Sequence, residues 1–505
     1  MCGIAGVWSV GGNIESLMAR ETVAAMLQLL AHRGPDAEGY CAVAGSGVVG
    51  HRRLSIMDPV GGDQPIYSAD RTRAVAANGE IYNFPVLRSE LSADHVFTTG
   101  SDSEAVLHLY ARHGTELVRH LEGMYAFAIV DGTRLVLARD PLGIKPLYWA
   151  ENDGFLYFAS ELKALAPFCT HVREFPPGTI YSSDIGTHTF YEVPFTVPDD
   201  RSAAEYTREL RTTLESAVVS HCMSDVGLGA FLSGGLDSSI ICALAKRHLG
   251  SLQTFSVGVE GSSDLAAARV VAEHLGTVHH EYEITADEVV RCLPEIIHSL
   301  ESFDQDLVRS AVPCYFTSRL AAQHTKVILT GEGADELFAG YTYHRAISDP
   351  SELHRELRRT VTTLHDINLQ RADRLTMLHS IEGRVPFLDL RVVELAQRIP
   401  TSLKLKGEPA IEKWILREAF ADLLPESIVW RRKEQFDEGS GTADLLPSIL
   451  RTLITEDEAA EYRLRYPGVT LRSAEECYYH RILVESYEHP EAVLANVARW
   501  AGDRI

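Results

Sequence analysis

The chain has 505 residues, and 47 Lys and Arg against 70 Asp and Glu leave a formal net charge of −23. At one domain per ~100–200 residues this length predicts roughly two to four domains, and 45% apolar with 23% charged residues excludes wholesale disorder. So acidic a chain, with no block of Lys or Arg, is not expected to bind nucleic acid, and no run approaches the ~18 apolar residues of a membrane span.

The first six residues, Met1-Cys2-Gly3-Ile4-Ala5-Gly6, lack the basic-then-apolar layout of a signal peptide, so a cytoplasmic protein with no membrane partner is expected. Gly3 to Trp8 are small or apolar and read as a buried strand. Position two alone carries little meaning, because chain ends are often frayed. A buried strand beginning there changes that. If Met1 is removed, Cys2 gains a free α-amine of pKa about 8, and thiol plus amine make a self-contained nucleophile and base. The other seven cysteines, at 41, 169, 222, 242, 292, 314 and 477, have no zinc-ligand spacing and read as small buried side chains.

Short Val-, Tyr- and Phe-rich runs bounded by turn residues predict strands at Gly47–Leu54, Arg73–Ala77, Tyr125–Val130, Leu135–Ala138 and Phe155–Ala159. Helices are expected near Glu15–His32 and Ser103–His113. The mixture predicts α+β layers around antiparallel sheets. Two prolines and two acids in Val193–Asp200 suggest a linker. Beyond it, Leu210, Leu214 and Val218 fall at helical spacing, and apolar runs at Val226–Leu232, Leu252–Val259 and Lys326–Thr330 read as buried strands leading into helices. That alternation predicts a parallel sheet covered on both faces. The last ~170 residues are helical by pattern.

Ser233-Gly234-Gly235-Leu236-Asp237-Ser238-Ser239 follows a strand and opens a helix, where free amides form an anion site. Without a Walker-type Lys it is not the usual P-loop. Asp237 would repel phosphate unless a divalent cation lies between them. Gly331-Glu332-Gly333-Ala334-Asp335-Glu336 follows another strand. Loops at the carboxyl ends of parallel strands converge on one crevice, so the two acidic loops are expected to share a nucleotide–metal site.

The first loop resembles the PP-loop of ATP pyrophosphatases. With the second loop, Glu382-Gly383-Arg384-Val385-Pro386-Phe387-Leu388-Asp389 and Arg432-Lys433-Glu434-Gln435-Phe436, it resembles the synthetase domain of the glutamine-hydrolysing asparagine synthetase family. Cys2-Gly3-Ile4-Ala5-Gly6, Arg33-Gly34-Pro35-Asp36, His51-Arg52-Arg53-Leu54-Ser55, Asn78-Gly79-Glu80-Ile81-Tyr82-Asn83 and Gly100-Ser101-Asp102 are similar to class II glutamine amidotransferases.

The resemblance implies an N-terminal-nucleophile glutaminase domain over residues 2–195 and an α/β PP-loop synthetase domain with a helical C-terminal part over 196–505. It implies that Cys2 attacks glutamine, that Asn78 and Gly79 form the oxyanion hole, and that Arg53, Glu80 and Asp102 hold the substrate. ATP would lie against Leu232, Ser233, Gly234, Gly235, Asp237, Ser238, Ser239, Val257, Thr330, Gly331 and Lys413, with Mg2+ on Asp237 and Asp335. Glu332 and Lys433 would act at the adenylate. The acceptor carboxylate, aspartate in the family, would meet Asp306, Arg309 and Asn368. Asp306 and Asn368 depart from the family pattern, and Asp306 would repel a substrate carboxylate unless it faces away. Hence a second expectation is kept: the same chemistry on a different carboxylic acid. Ring closure without ammonia is disfavoured by the intact Cys2 set, and a non-catalytic relative by the full complement of reactive groups. The resemblance also implies an internal ammonia passage and a homodimer. No role is read for residues 444–505, where Tyr478, Tyr479, His480 and Trp500 are expected in core or interface.

Overall fold

The computed structural model describes residues 2–10, 14–199 and 201–499; Met1, Asp200 and Trp500 lie outside these. Twelve strands come first: β1 (Gly3–Ser9), β2 (Ala37–Val43), β3 (Gly47–Arg53), β4 (Ile66–Tyr67), β5 (Arg73–Ile81), β6 (Gly123–Asp131), β7 (Arg134–Arg139), β8 (Tyr148–Asn152), β9 (Phe155–Ala159), β10 (Arg173–Glu174), β11 (Thr179–Ser182) and β12 (Gly186–Thr189). They form two six-stranded sheets, ordered β10-β8-β9-β1-β3-β2 and β12-β11-β7-β6-β5-β4, and every pairing is antiparallel.

The period of two along each strand builds the layers. In β1, Ile4 and Trp8 face the second sheet, while Ala5 and Val7 face the helix Ser16–Leu29 through Val23 and Leu27. In β5, Ala74 and Ala76 join the layer between the sheets, while Val75 and Ala77 pack outward with Val106, Leu107 and Leu109 of the helix Glu104–His113. Small residues on the inner face of β5 and β6 leave room for Trp8 and Phe158 opposite them, the interdigitation that close sheet packing requires. The order of layers is helix, sheet, sheet, helix.

The second half is built on a parallel sheet of β13 (Leu228–Phe231), β14 (Gln253–Gly258), β15 (Val278–Glu283), β16 (Val327–Leu329) and β17 (Glu382–Arg384), ordered β15-β14-β13-β16-β17. Helices cover it, and from Leu390 onward the named elements among the described residues are all helices. Val193–Asp199 is irregular, and the helix Ala203–His221 that follows is capped reciprocally by Ser202 and Glu205. Leu54, Tyr82, Met124 and Ile144 of the first half share one core with Leu210, Leu236 and Phe387 of the second, so the halves are joined by an apolar seam. No helix among the described residues is long and apolar enough to cross a membrane.

Candidate functional site

Two sites emerge, one in each half. At the first, Cys2 is buried at the head of β1, and its backbone N–H donates to Asn78 Oδ1 at 3.0 Å. Asn78 Nδ2 is buried without a hydrogen-bond partner, so a donor stands unused beside the thiol. Gly79 follows at φ +152°, where a Cβ would come within 2.0 Å of the Met124 carbonyl oxygen, so only glycine fits. Burial pushes the Cys2 thiol above its usual range, against the opposing pull of the Leu54 amide and Arg53. An attack by this sulfur therefore needs a base.

Arg53 is 4% exposed and spends its guanidinium on the Met57, Asp58 and Pro59 carbonyls and on Asp63 at 2.8 Å. It thus holds the loop 57–63 around the site. Asp102 accepts the Ile81 amide at 2.6 Å, and burial lifts its carboxyl to about 6. Glu80 Oε1 lies 3.4 Å from Arg384, which β17 contributes from the other half. Burial and the neighbouring Asp102 carry Glu80 well above the carboxylate range. Arg384 has no role in the sequence reading, although its motif is visible there. Its partner sits 304 positions away in the chain, which only folding reveals.

The second site is a cavity of about 380 Å³ at the carboxyl ends of the parallel strands. The residues expected for nucleotide, metal and acceptor all border it except Gly234, Ser239 and Arg309. Gly234 instead makes the turn: at φ +71° it passes so close to Ala267 that a Cβ would meet that backbone at 2.5 Å. Ser239 caps inward, donating to the Gly235 carbonyl at 2.7 Å. The Leu236–Leu249 helix opens toward the cavity with no side-chain cap, leaving its first amides for a ligand.

Lys413 Nζ lies 2.5 Å from Asp237 Oδ2 and 2.6 Å from Asp335 Oδ1, while Lys433 Nζ lies 2.8 Å from Asp335 Oδ2. Burial works to raise the Asp335 carboxyl, but the two ammonium groups outweigh it and hold it well below the usual range. Asp237 Oδ1 is buried and has no hydrogen-bond partner. Two neighbouring acids, one with an oxygen to spare, beside a helix start suit a hard cation.

Glu332 pairs with Arg371, and Asn368 donates to Glu336 Oε1 at 3.1 Å and to the Tyr341 hydroxyl at 3.0 Å. Burial and the adjacent Asp335 raise Glu336 to about 7. Arg371 escapes the sequence reading, yet it lies three residues after Asn368 on one helix, a spacing that puts both on the same face. Asp366 ends a 3-10 turn before that helix and faces His365 at 2.9 Å. Asp306 borders the cavity paired with Arg472 at 3.0 Å. Arg309 is turned to Glu475, at 2.9 and 2.6 Å.

A buried thiol with an idle amide donor in stacked antiparallel sheets, followed by an anion loop with paired acids in a parallel sheet, defines a class: an N-terminal-nucleophile glutamine amidotransferase joined to an ATP-dependent ligase. The family model described as glutamine amidotransferase domain matches residues 1–189, and the one described as asparagine synthase matches 209–351 and 346–501. The chain is 39% identical to a protein of Escherichia coli (strain K12) named asparagine synthetase B, glutamine-hydrolysing, over 97% of this chain and 92% of that one. It is also 39% identical to the glutamine-hydrolysing asparagine synthetase of Asparagus officinalis, over 96% of this chain and 86% of the other. The chain belongs to the family of glutamine-hydrolysing asparagine synthetases.

Proposed function

We propose that this protein converts L-aspartate to L-asparagine, taking nitrogen from glutamine and energy from ATP cleaved to AMP and pyrophosphate. The observation that carries this reading is that both reactive sets are intact in one chain that matches glutamine-hydrolysing asparagine synthetases over nearly its whole length.

At the first site, removal of Met1 would leave the Cys2 amine where its nitrogen now meets Asn78 Oδ1. That amine takes the thiol proton, as a thiol raised by burial requires, and sulfur attacks the glutamine amide. Asn78 Nδ2 and the Gly79 N–H receive the developing oxyanion, worth about 3–4 kcal/mol per donor. Glu80 and Asp102 hold the glutamine ammonium, and Arg53 positions its carboxylate through the loop it braces.

At the second site, the Ser233–Ser238 loop and the helix start would hold the phosphates, and Asp237 and Asp335 would hold Mg2+. The cation would supply charge neutralisation between the acids and the phosphates. Lys433 and Lys413, already in place, counter the charge that develops as pyrophosphate departs, and Glu332 accepts a proton from the attacking ammonia. Asp306 and Asn368 form the acceptor end, with Arg309 behind Asp306 and engaged by Glu475. Ammonia released into bulk water would be protonated and diluted, so the apolar seam between the halves is its route. The Asp306 and Asn368 departures keep a second acceptor class in view, another carboxylic acid treated identically. A homodimer and a cytoplasmic location complete the reading, the former tested by sedimentation.

The test is mass spectrometry of one reaction holding enzyme, glutamine, Mg-ATP and L-aspartate. Asparagine with stoichiometric AMP is expected. Glutamate without asparagine or AMP would overturn aspartate as acceptor. Cys2→Ala is expected to abolish the glutamine-dependent reaction and spare the ammonia-dependent one; retained glutamine use would overturn Cys2 as nucleophile.

A further inference from the structure

The C-terminal segment carries none of the motifs that serve activation, yet it packs on the acceptor end of the cavity. The helix Ala474–Glu485 lies beside the helix Gln305–Ala321, which bears Asp306 and Arg309. Arg472, two residues ahead of the first helix, is fastened from several sides. Its Nη2 donates to Asp304 at 2.8 Å and to Glu476 at 2.9 Å, its Nε to Glu476 at 3.1 Å, and its backbone N–H to Glu476 at 2.7 Å. Asp304 and Glu476 are both fully buried. A planar guanidinium held on that side has one arm left, and Nη1 is 3.0 Å from Asp306 Oδ2. Three residues along, Glu475 accepts from Nε and Nη2 of Arg309 and is itself held by the Tyr479 hydroxyl at 2.9 Å, while Arg309 Nη1 lies 3.9 Å from Asp306 Oδ1.

We propose that Arg472 is a specificity-determining positioning residue: it is the nearer of the two guanidiniums that neutralise Asp306 at the acceptor end of the cavity, 3.0 Å against 3.9 Å for Arg309. This rests on the reading of that end as the acceptor's. An acid at 306 facing a substrate that carries two carboxylates repels it, and the repulsion grows as water is excluded. A guanidinium pinned by two buried acids removes that repulsion without being free to swing into the cavity. With Arg309 engaged mainly by Glu475, the acceptor end of the cavity presents a compensated acid, Asp306, beside an amide, Asn368. The segment that opens the C-terminal helix thereby decides which carboxylates are admitted, although neither Arg472 nor any residue of that helix lines the cavity.

The experiment is steady-state, ammonia-dependent asparagine synthesis by the full-length enzyme and its variants Arg472→Gln, Arg472→Lys, Asp306→Asn and the double variant Arg472→Gln/Asp306→Asn. Leaving Asp306 only the longer contact to Arg309 is expected to raise the KM for L-aspartate about tenfold in Arg472→Gln, with less effect at 0.5 M salt than at low salt, because the pair is partly exposed. The KM for ATP is expected to stay within about twofold, a split that general loss of structure does not produce. Asp306→Asn in the double variant is expected to restore the aspartate KM, and Arg472→Lys to keep it within about threefold. An unchanged aspartate KM in Arg472→Gln, a parallel rise in the ATP KM, or no restoration in the double variant would overturn the assignment. If Arg472→Gln does not fold, Asp306→Asn alone decides: the uncompensated Arg472 lowers the aspartate KM, and an unchanged value overturns the proposal. Failure of the unaltered enzyme to make asparagine would remove the acceptor reading itself, and this assignment with it.

Discussion

Arg33 and Asp373 form a two-point ion pair, 2.7 and 3.2 Å, between residues 340 positions apart and both inside the protein. The same guanidinium donates to the Cys2 carbonyl at 3.0 Å and to Glu161 at 2.6 Å. Asp373 lies on the helix Asn368–Leu378, whose first turn borders the ATP-side cavity. One helix thus touches both sites, with Asn368 and Arg371 at one and Asp373 at the backbone anchor of the nucleophile. Breaking a buried pair strands its partner, so Arg33→Met is expected to cost about 3–5 kcal/mol. Urea unfolding of the variant against the parent measures it, and an unchanged midpoint would contradict the pairing.

Asn78 Nδ2 is expected to serve only the transition state of glutamine hydrolysis. Asn78→Ala should therefore lower glutaminase kcat by about 100- to 1,000-fold with a small change in KM. Ammonia-dependent synthesis, followed in the same preparation, reports that the fold is intact.

Metal removal separates the sites. With Asp237 and Asp335 paired only to lysines, EDTA is expected to stop aspartate-dependent AMP formation and leave glutamate release from glutamine running. Inhibition of both activities alike would move the cation elsewhere. Titrating Mg2+ back should restore AMP formation alone.

Lys404 is fully buried, and its Nζ has no hydrogen-bond partner among the described residues. Burial alone pulls its pKa down from 10.5 to about 7. A lysine neutral in the fold and protonated when unfolded costs stability between those two values. The cost is absent above pH ~10.5, grows as pH falls, and is complete below about 7. Lys404→Met is expected to raise the melting temperature by several degrees at pH 7, with the gain vanishing toward pH 10.5. Calorimetry across that range checks it, and a gain independent of pH would point to packing instead.

Much of this molecule is legible in its residues. Short apolar runs bounded by turn residues marked β3, β5, β6, β7 and β9, because these strands are buried on both faces for most of their length. The Ser233–Ser239 and Gly331–Glu336 turns stood out because glycines and acids after an apolar run are costly unless used. β15 did not stand out: Val-His-His-Glu-Tyr-Glu is polar because it is an edge strand and only half buried. β17 escaped for the opposite reason, since Glu382 and Arg384 are fully buried charges whose compensation, including Glu80, comes from afar.

The sequence by itself determined the two chemistries, because a nucleophile, an anion loop and their immediate neighbours are contiguous and their backbone needs are local. Tertiary structure alone decided who neutralises whom. Arg309 reads as an acceptor ligand yet is bound to Glu475, Asp306 reads as a repelling acid yet is paired with Arg472, and the two expected metal ligands are bridged by Lys413. Charge compensation acts through space over a few ångströms, and these partners stand 78 to 176 positions apart in the chain.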